Sequence, residues 1–337
     1  MTHLLNITKF GFVAVVAFSG MAVGKENKSE DVRYRGDETE LAALLMTPIS
    51  ATPVPAAVII QGSGTSDRSN RWARDIAEEL LQNGIAVLLT DKRGSGASEG
   101  NWRTASFSDL ASDILAGVNF LRGRTDIDSA HIGVVGLSQG GQIAPLAATR
   151  SDHIAFVINV SGGAIGFAEA SFREMANTAR QSGLSKSDVN QVLQLNLSAV
   201  RYLTTGKWAQ YARKRKQVLE TGAKEIAEGF PAKADAPIWT FLRSAVTWDP
   251  LVYWVQVTQP VLIVYGEDDE HDNVPVAESV RRLEHAFASV GKTNVRLLVV
   301  PGAGHGVRDT QTHKLHPQFK SVLAAWAREH TIQIKEK

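Results

Sequence analysis

Ile132-Gly133-Val134-Val135-Gly136-Leu137-Ser138-Gln139-Gly140-Gly141 decides how the rest of the chain is read. Its first half is β-branched with few polar residues, the pattern of a buried strand. It runs straight into Gly-x-Ser-x-Gly, and Gln142 to Thr149 reads as a helix. Strand, sharp turn and helix together make a nucleophile elbow, in which the turn holds one serine clear of the sheet. Ser138 is therefore expected in a strained, left-handed conformation costing about 1–3 kcal/mol. Gly136 and Gly140 stand two residues either side of it. Without Cβ atoms they let strand and helix approach closely enough to close the turn. The helix N-terminus then turns unpaired N–H groups and a positive dipole end toward any developing negative charge.

Outward from the elbow the same rhythm repeats. Leu41 to Met46 reads as a strand ended by Pro48, after a polar surface or edge segment from Lys25 to Asp37. Ala56 to Ile60 is a buried strand broken by Gln61-Gly62-Ser63-Gly64-Thr65. Arg71 to Gln82 has helical spacing, with Trp72, Ile76, Leu80 and Leu81 on one face and Gly84 as the stop. Ile85 to Leu89 is the next strand, Phe107 to Arg122 the next amphipathic helix, and Ile154 to Val160 the strand after the elbow. Strands alternating with helices at this spacing predict a mostly parallel sheet, covered on both faces through right-handed crossovers.

Between Ser161 and Gln259 the rhythm breaks into helical patterns alone, one of them with Ser187 as its cap. Trp208, Trp239, Trp248 and Trp254 lie here, either lining a pocket or forming a core of their own. The rhythm returns with the strand Val261 to Tyr265, a helix from Val276 to Val290, the strand Val295 to Val300 and a last helix near Pro317 to His330. The expected organisation is an α/β core over residues 25–165, an inserted helical cap over 166–257 and the rest of the core over 258–337.

Residues 1–24 read as a secretory signal: Lys9, an apolar run from Phe10 to Val23, and small residues at Ala22 and Gly24 before a cleavage point. The run is too short to span a bilayer comfortably, so no membrane span is expected after cleavage, and the mature chain belongs in the periplasm or outside the cell. The 337 residues carry a net charge of +1 and no cysteine. That excludes a disulfide framework, a thiol nucleophile and a cysteine-based metal site, and it gives no basic footprint for nucleic acid. The run Arg213-Lys214-Arg215-Lys216 falls in a helical pattern and reads as a solvated face.

A serine hydroxyl is a poor nucleophile at neutral pH and needs a base within hydrogen-bond reach. Of nine histidines, His305 stands apart, because Gly302-Ala303-Gly304-His305-Gly306 follows the last core strand on a loop too small to bury an imidazole. The base in turn needs a carboxylate to fix its tautomer. Gly266-Glu267-Asp268-Asp269-Glu270-His271-Asp272 follows the preceding strand, and Asp269 leaves the strand end with least extra loop. Asp272 is its competitor, and Asp268 should point the other way in an extended chain. The cluster lacks the spacing of a calcium loop. An oxyanion hole would draw one N–H from Gln139 and the other from the Gln61-Gly62-Ser63-Gly64 loop, Ser63 first and Gly64 second. Asp91-Lys92-Arg93-Gly94-Ser95-Gly96 lacks both the lysine placement of a P-loop and the Gly-x-Gly-x-x-Gly spacing, so no nucleotide site is expected.

Taken together, Gly62-Ser63-Gly64-x-x-Asp67-Arg68, Asp91-x-Arg93-Gly94-x-Gly96-x-Ser98, Gly136-x-Ser138-x-Gly140-Gly141, Gly266-x-x-Asp269 and Gly304-His305 resemble the α/β-hydrolase superfamily over nearly the whole mature length. The resemblance is closest to exported bacterial serine esterases, relatives of the prolyl-oligopeptidase-like catalytic domain. It implies an α/β-hydrolase fold and a Ser138–His305–Asp269 triad acting on a small-molecule carboxylic ester, with no metal or organic cofactor. A peptidase of the prolyl-oligopeptidase kind is the rival with the same chemistry, and a non-catalytic binding protein the rival of another class. Two departures stand out: Gln61 occupies a position where many relatives have histidine, and the loop from Asp269 to Pro275 is about two residues longer than the usual pattern.

Overall fold

The structure, a computed structural model, describes residues 27–272 and 274–331. The segment read as a signal, residues 1–24, lies outside them. Eight strands form one sheet: β1 (Asn27–Arg35), β2 (Glu40–Pro48), β3 (Val54–Ile60), β4 (Ala86–Thr90), β5 (Ile127–Leu137), β6 (Val157–Val160), β7 (Val261–Gly266) and β8 (Val295–Val300). Their order across the sheet is β1-β2-β4-β3-β5-β6-β7-β8. The β1–β2 and β2–β4 pairs are antiparallel and all later pairs parallel. The polar segment read as an edge is β1, the terminal strand.

Successive side chains of a strand face opposite ways, and here each face has its own core. Ala56, Val58 and Ile60 of β3 go to one core, Ala57 and Ile59 to the other. The second core is closed by α1 (Arg71–Gln82) through Ile76 and Leu80 and by the last helix (Pro317–Thr331) through Phe319 and Leu323. The first is closed by α2 (Phe107–Arg122) through Leu110 and Val118, by α3 (Gln139–Thr149) through Ile143, and by the helix Val276–Ser289 through Leu283. With both faces covered, the parallel strands read as unbroken apolar runs, which is why they stand out in the sequence. Ser106 starts α2 with a capping box, its hydroxyl accepting from the Asp109 N–H at 3.1 Å while the Asp109 carboxylate accepts from the Ser106 N–H at 2.7 Å.

Between β6 and β7 the described residues form helices and no strand: α4 (Phe167–Gln181), α5 (Lys186–Thr205), α6 (Trp208–Val218), α7 (Lys224–Glu228), α8 (Ile238–Ala245) and α9 (Leu251–Trp254). The cap of α5 is Ser185, not Ser187: its hydroxyl accepts from the Asp188 N–H at 3.1 Å, so the helix starts two residues earlier than its apolar face suggests. The remaining helices are α10 (Val276–Ser289) and α11 (Pro317–Thr331). Among the described residues no helix is long and apolar enough to cross a membrane.

The four tryptophans of this insertion divide between two cores. Trp239 is 1% exposed and packs with Trp208, Tyr202 and Tyr211 in a cluster belonging to the insertion alone. Trp248 and Trp254 belong to the sheet's first core, with Trp248 edge-on to Phe107 at 4.6 Å and Trp254 against Phe287. Trp239→Ala is expected to destabilise the protein by about 3–5 kcal/mol, the usual cost of emptying a buried aromatic site. Val252, 54% exposed on α9, serves as the control. Its alanine variant should stay within about 0.5 kcal/mol of the parent in the same denaturant titration.

Candidate active site

Ser138 has φ 51° and ψ −114°, a conformation that L-residues rarely adopt. The helix after it begins at once, at Gln139, three residues before the sequence pattern suggests, so the whole turn is the serine itself. A Cβ on Gly136 would lie 2.4 Å from the Gly140 carbonyl oxygen, and one on Gly140 would lie 2.2 Å from the Ile60 carbonyl oxygen. Backbone stands at both places and cannot yield, so the elbow closes only with glycine there. The Ser138 N–H donates to Val160 O at 2.9 Å, fixing the serine at the C-terminal end of β5 beside β6.

His305 and Asp269 come from the loops after β8 and β7. His305 Nδ1 lies 2.8 Å from Asp269 Oδ2, with the imidazole 26% exposed and the carboxylate fully buried. The short helical turn Glu267–His271 directs Asp269 inward. Two other carboxylates of the acidic cluster go elsewhere. Asp272 Oδ1 accepts from Gln181 of α4 at 3.0 Å, and Glu270 Oε2 accepts from the Ala277 N–H at 2.7 Å. Among the described residues Ser138 Oγ makes no hydrogen bond to the imidazole.

Ser161 takes part in holding this arrangement, and nothing in the sequence singles it out. It follows β6 with φ 55°, and its hydroxyl accepts from the Gly306 N–H at 3.1 Å, which anchors the histidine loop to the strand next to the elbow. Trp72, opening α1, lies edge-on to the imidazole at 5.2 Å. From the insertion, Glu174 of α4 stands near His305. The protein around its carboxyl raises its pKa above the usual carboxylate range, and the imidazole opposes that rise.

Gly62 lies against the elbow, where a Cβ on it would be 3.6 Å from Ser138 Cβ. The loop it belongs to is braced from below by Gln61. That amide is 2% exposed, and its Nε2 donates to Thr90 O at 2.9 Å and to Asp67 O at 3.1 Å, while Oε1 accepts from Ser66 Oγ at 2.9 Å. Gln61 thus braces the loop through neutral hydrogen bonds. The Asp91–Ser98 segment is scaffolding around it. Arg68 Nη2 meets Asp91 Oδ2 at 2.8 Å, and Arg93 holds both oxygens of Asp113 at 2.6 Å. Burial by itself would raise the Asp91 carboxyl; Arg68 and the N–H groups of Ala97 and Arg68 outweigh it and hold the group below its ordinary value.

Known proteins share this architecture. The family described as X-Pro dipeptidyl-peptidase (S15 family) matches residues 37–305. The quorum-quenching protein AidA of Acinetobacter baumannii is 26% identical over 159 residues, 47% of this chain and 52% of that protein. Esterase EstD of Thermotoga maritima is 30% identical over 129 residues, 37% of this chain and 30% of that protein. The matched segments therefore span between about a third and a half of these relatives. Among solved structures, the Pyrococcus furiosus esterase Pf2001 superposes with a TM-score of 0.61 at 18% identity, covering 90% of this chain and 92% of its own. At that identity the likeness concerns the fold, which is the α/β-hydrolase fold.

Proposed function

The chain belongs to the S15 family of X-Pro dipeptidyl-peptidases, α/β-hydrolases in fold, and on that premise we propose that it is a serine hydrolase cleaving carboxylic esters. The observation that carries this reading is the 2.8 Å contact of His305 Nδ1 with the buried Asp269 carboxylate, at the same end of the sheet as a serine with φ 51°. Two further facts support the ester over the peptide amide: the esterase among its sequence relatives and the esterase among its structural neighbours.

In this reading Ser138 Oγ attacks the ester carbonyl carbon as its proton passes to His305 Nε2. Asp269 accepts from Nδ1–H, holds that tautomer and stabilises the imidazolium. The carbonyl oxygen becomes an oxyanion received by the N–H groups of Ser63 and Gln139, each donor contributing about 10²–10³ in rate by analogy with other serine hydrolases. Collapse of the tetrahedral intermediate breaks the bond to the alcohol, which leaves with the proton from Nε2. Water then attacks the acyl-serine, giving its proton to the same nitrogen, and the acid departs. Gln139 opens α3, so its N–H has no partner within the helix and is open to a ligand. The insertion over 166–257 is proposed as the cap over the acyl side of the site. Export, proposed from residues 1–24, is tested by the N-terminal sequence of the protein recovered from outside the cytoplasm.

The family description favours a second reading, cleavage after an Xaa-Pro dipeptide. A series of p-nitrophenyl acyl esters set against Xaa-Pro p-nitroanilides separates the two. The expected result is a kcat/KM at least about a hundredfold higher on the best ester. Cleavage of the Xaa-Pro anilides with no ester preference would move the assignment to the peptidase.

A further inference from the structure

Lys92 is the second residue beyond the buried strand β4: it is 8% exposed, and its ammonium points beneath the loop that carries Ser63. Nζ donates to Gly62 O, to Gly64 O at 3.1 Å and to Gln139 Oε1 at 3.3 Å. Three N–H donors thus meet three acceptors, none of them a carboxylate. The main chain reinforces the contact, since the Lys92 N–H donates to Ser66 O at 3.1 Å.

The geometry has a direct consequence for the neighbouring N–H. A trans peptide unit is planar, so its C=O and the N–H of the next residue point in opposite directions. Gly62 C=O and Ser63 N–H belong to one such unit. An ammonium that holds the carbonyl on one side therefore fixes the N–H toward the other. It also polarises the amide, which strengthens the N–H as a donor. The same ammonium holds the side chain of Gln139, whose backbone supplies the other N–H.

We propose that Lys92 is a positioning residue of the oxyanion hole, locking the Gly62–Ser63 peptide and Gln139 into one frame so that their two N–H groups meet the same oxygen. This rests on the reading of Ser63 and Gln139 as the oxyanion donors.

The charged groups around Lys92 are otherwise engaged. Asp91 is turned to Arg68, Arg93 to Asp113, and Arg103 lies over the Trp102 ring, whose centroid is 5.8 Å from Nζ. Tyr34, raised by burial well above its ordinary value, lines with Lys92, Arg93 and Asp113 a cavity of about 30 Å³ behind the loop. Burial without a counter-charge lowers the Lys92 pKa to about 8. Above that pH the amine keeps two N–H groups for three oxygens and loses its charge, so turnover should fall as pH rises through about 8. Stability has the opposite sign. Between about 8 and the unfolded value of 10.5 the unfolded chain binds a proton that the native one has lost, so this group favours folding more as pH rises. An alkaline loss of activity from Lys92 is thus separable from unfolding.

The test compares Lys92→Met and Lys92→Arg with the parent on a short-chain p-nitrophenyl ester, recording kcat and KM from about pH 6 to about pH 10, with thermal midpoints alongside. Lys92→Met is expected to lose about 10²-fold in kcat with KM within about twofold, and to lack the alkaline limb near pH 8. Lys92→Arg should recover part of kcat and also lack the limb, because a guanidinium stays charged throughout. A Lys92→Met enzyme within about threefold of the parent in kcat overturns the proposal, as does an unchanged alkaline limb in either variant. If Lys92→Met fails to fold, the limb in Lys92→Arg decides alone. Ser138→Ala, run in parallel, separates the two levels. Activity surviving in that variant overturns the serine reading itself, whereas a dead Ser138→Ala beside an unaffected Lys92→Met removes Lys92 alone.

Discussion

Ser138→Ala is expected to abolish ester hydrolysis and stoichiometric labelling by an organophosphonate, while leaving the thermal midpoint within a few degrees of the parent. The hydroxyl is half-buried at the elbow and makes no hydrogen bond to the imidazole, so its removal costs the fold little. Alanine keeps the Cβ and with it the strain of φ 51°. Glycine does not, so Ser138→Gly should be equally inactive yet more stable than Ser138→Ala, by about 1 kcal/mol once glycine's greater unfolded-state freedom is counted. The pair of variants reads chemistry and strain separately. Full-yield labelling of Ser138→Ala would remove the serine from the mechanism, and a Ser138→Gly variant less stable than Ser138→Ala would remove the strain.

How much of this was legible in the sequence depends on what each residue does. The parallel strands β3, β4 and β7 are buried on both faces and announce themselves as apolar runs. Strand β1, Asn-Lys-Ser-Glu-Asp-Val-Arg-Tyr-Arg, buries only Val32 and Tyr34 and pairs on one side, so its sequence looks like any polar segment. Strand order was not legible at all, because the β2–β4 and β3–β5 pairings join residues far apart in sequence. At the site, serine, histidine and acidic residues after strand ends carry their own chemical signal. Lys92 carried none, since a lysine in a charged loop is by default a solvated one. Its one available cue was position: the second residue beyond a fully buried strand, in a segment dense with glycine turns. Ser161 and Trp72 act through the histidine loop and are visible only once that loop is placed.

The choice among the acidic residues is where sequence and geometry meet most closely, and Asp269→Asn is expected to reduce kcat by about 10⁴. An aspartate at this position accepts from Nδ1–H and so leaves Nε2 free to take the serine proton. Asparagine offers an N–H in its place, Nδ1 becomes the acceptor, and the ring proton moves to Nε2, where it blocks the base. Asp269 is fully buried and its Oδ2 lies 2.8 Å from His305 Nδ1, so the exchange acts directly on that contact. Asp272 lies three residues further along the chain and is held by Gln181 at 3.0 Å, on the side of the insertion. Asp268 is half-buried, and its N–H donates to Ala303 O at 3.0 Å. Asp268→Asn and Asp272→Asn should each remain within about tenfold of the parent, some 1.4 kcal/mol. Single-turnover acylation with a chromogenic ester measures all three. A dead Asp272→Asn beside an active Asp269→Asn would transfer the acid to the longer loop and leave Ser138 and His305 in their roles.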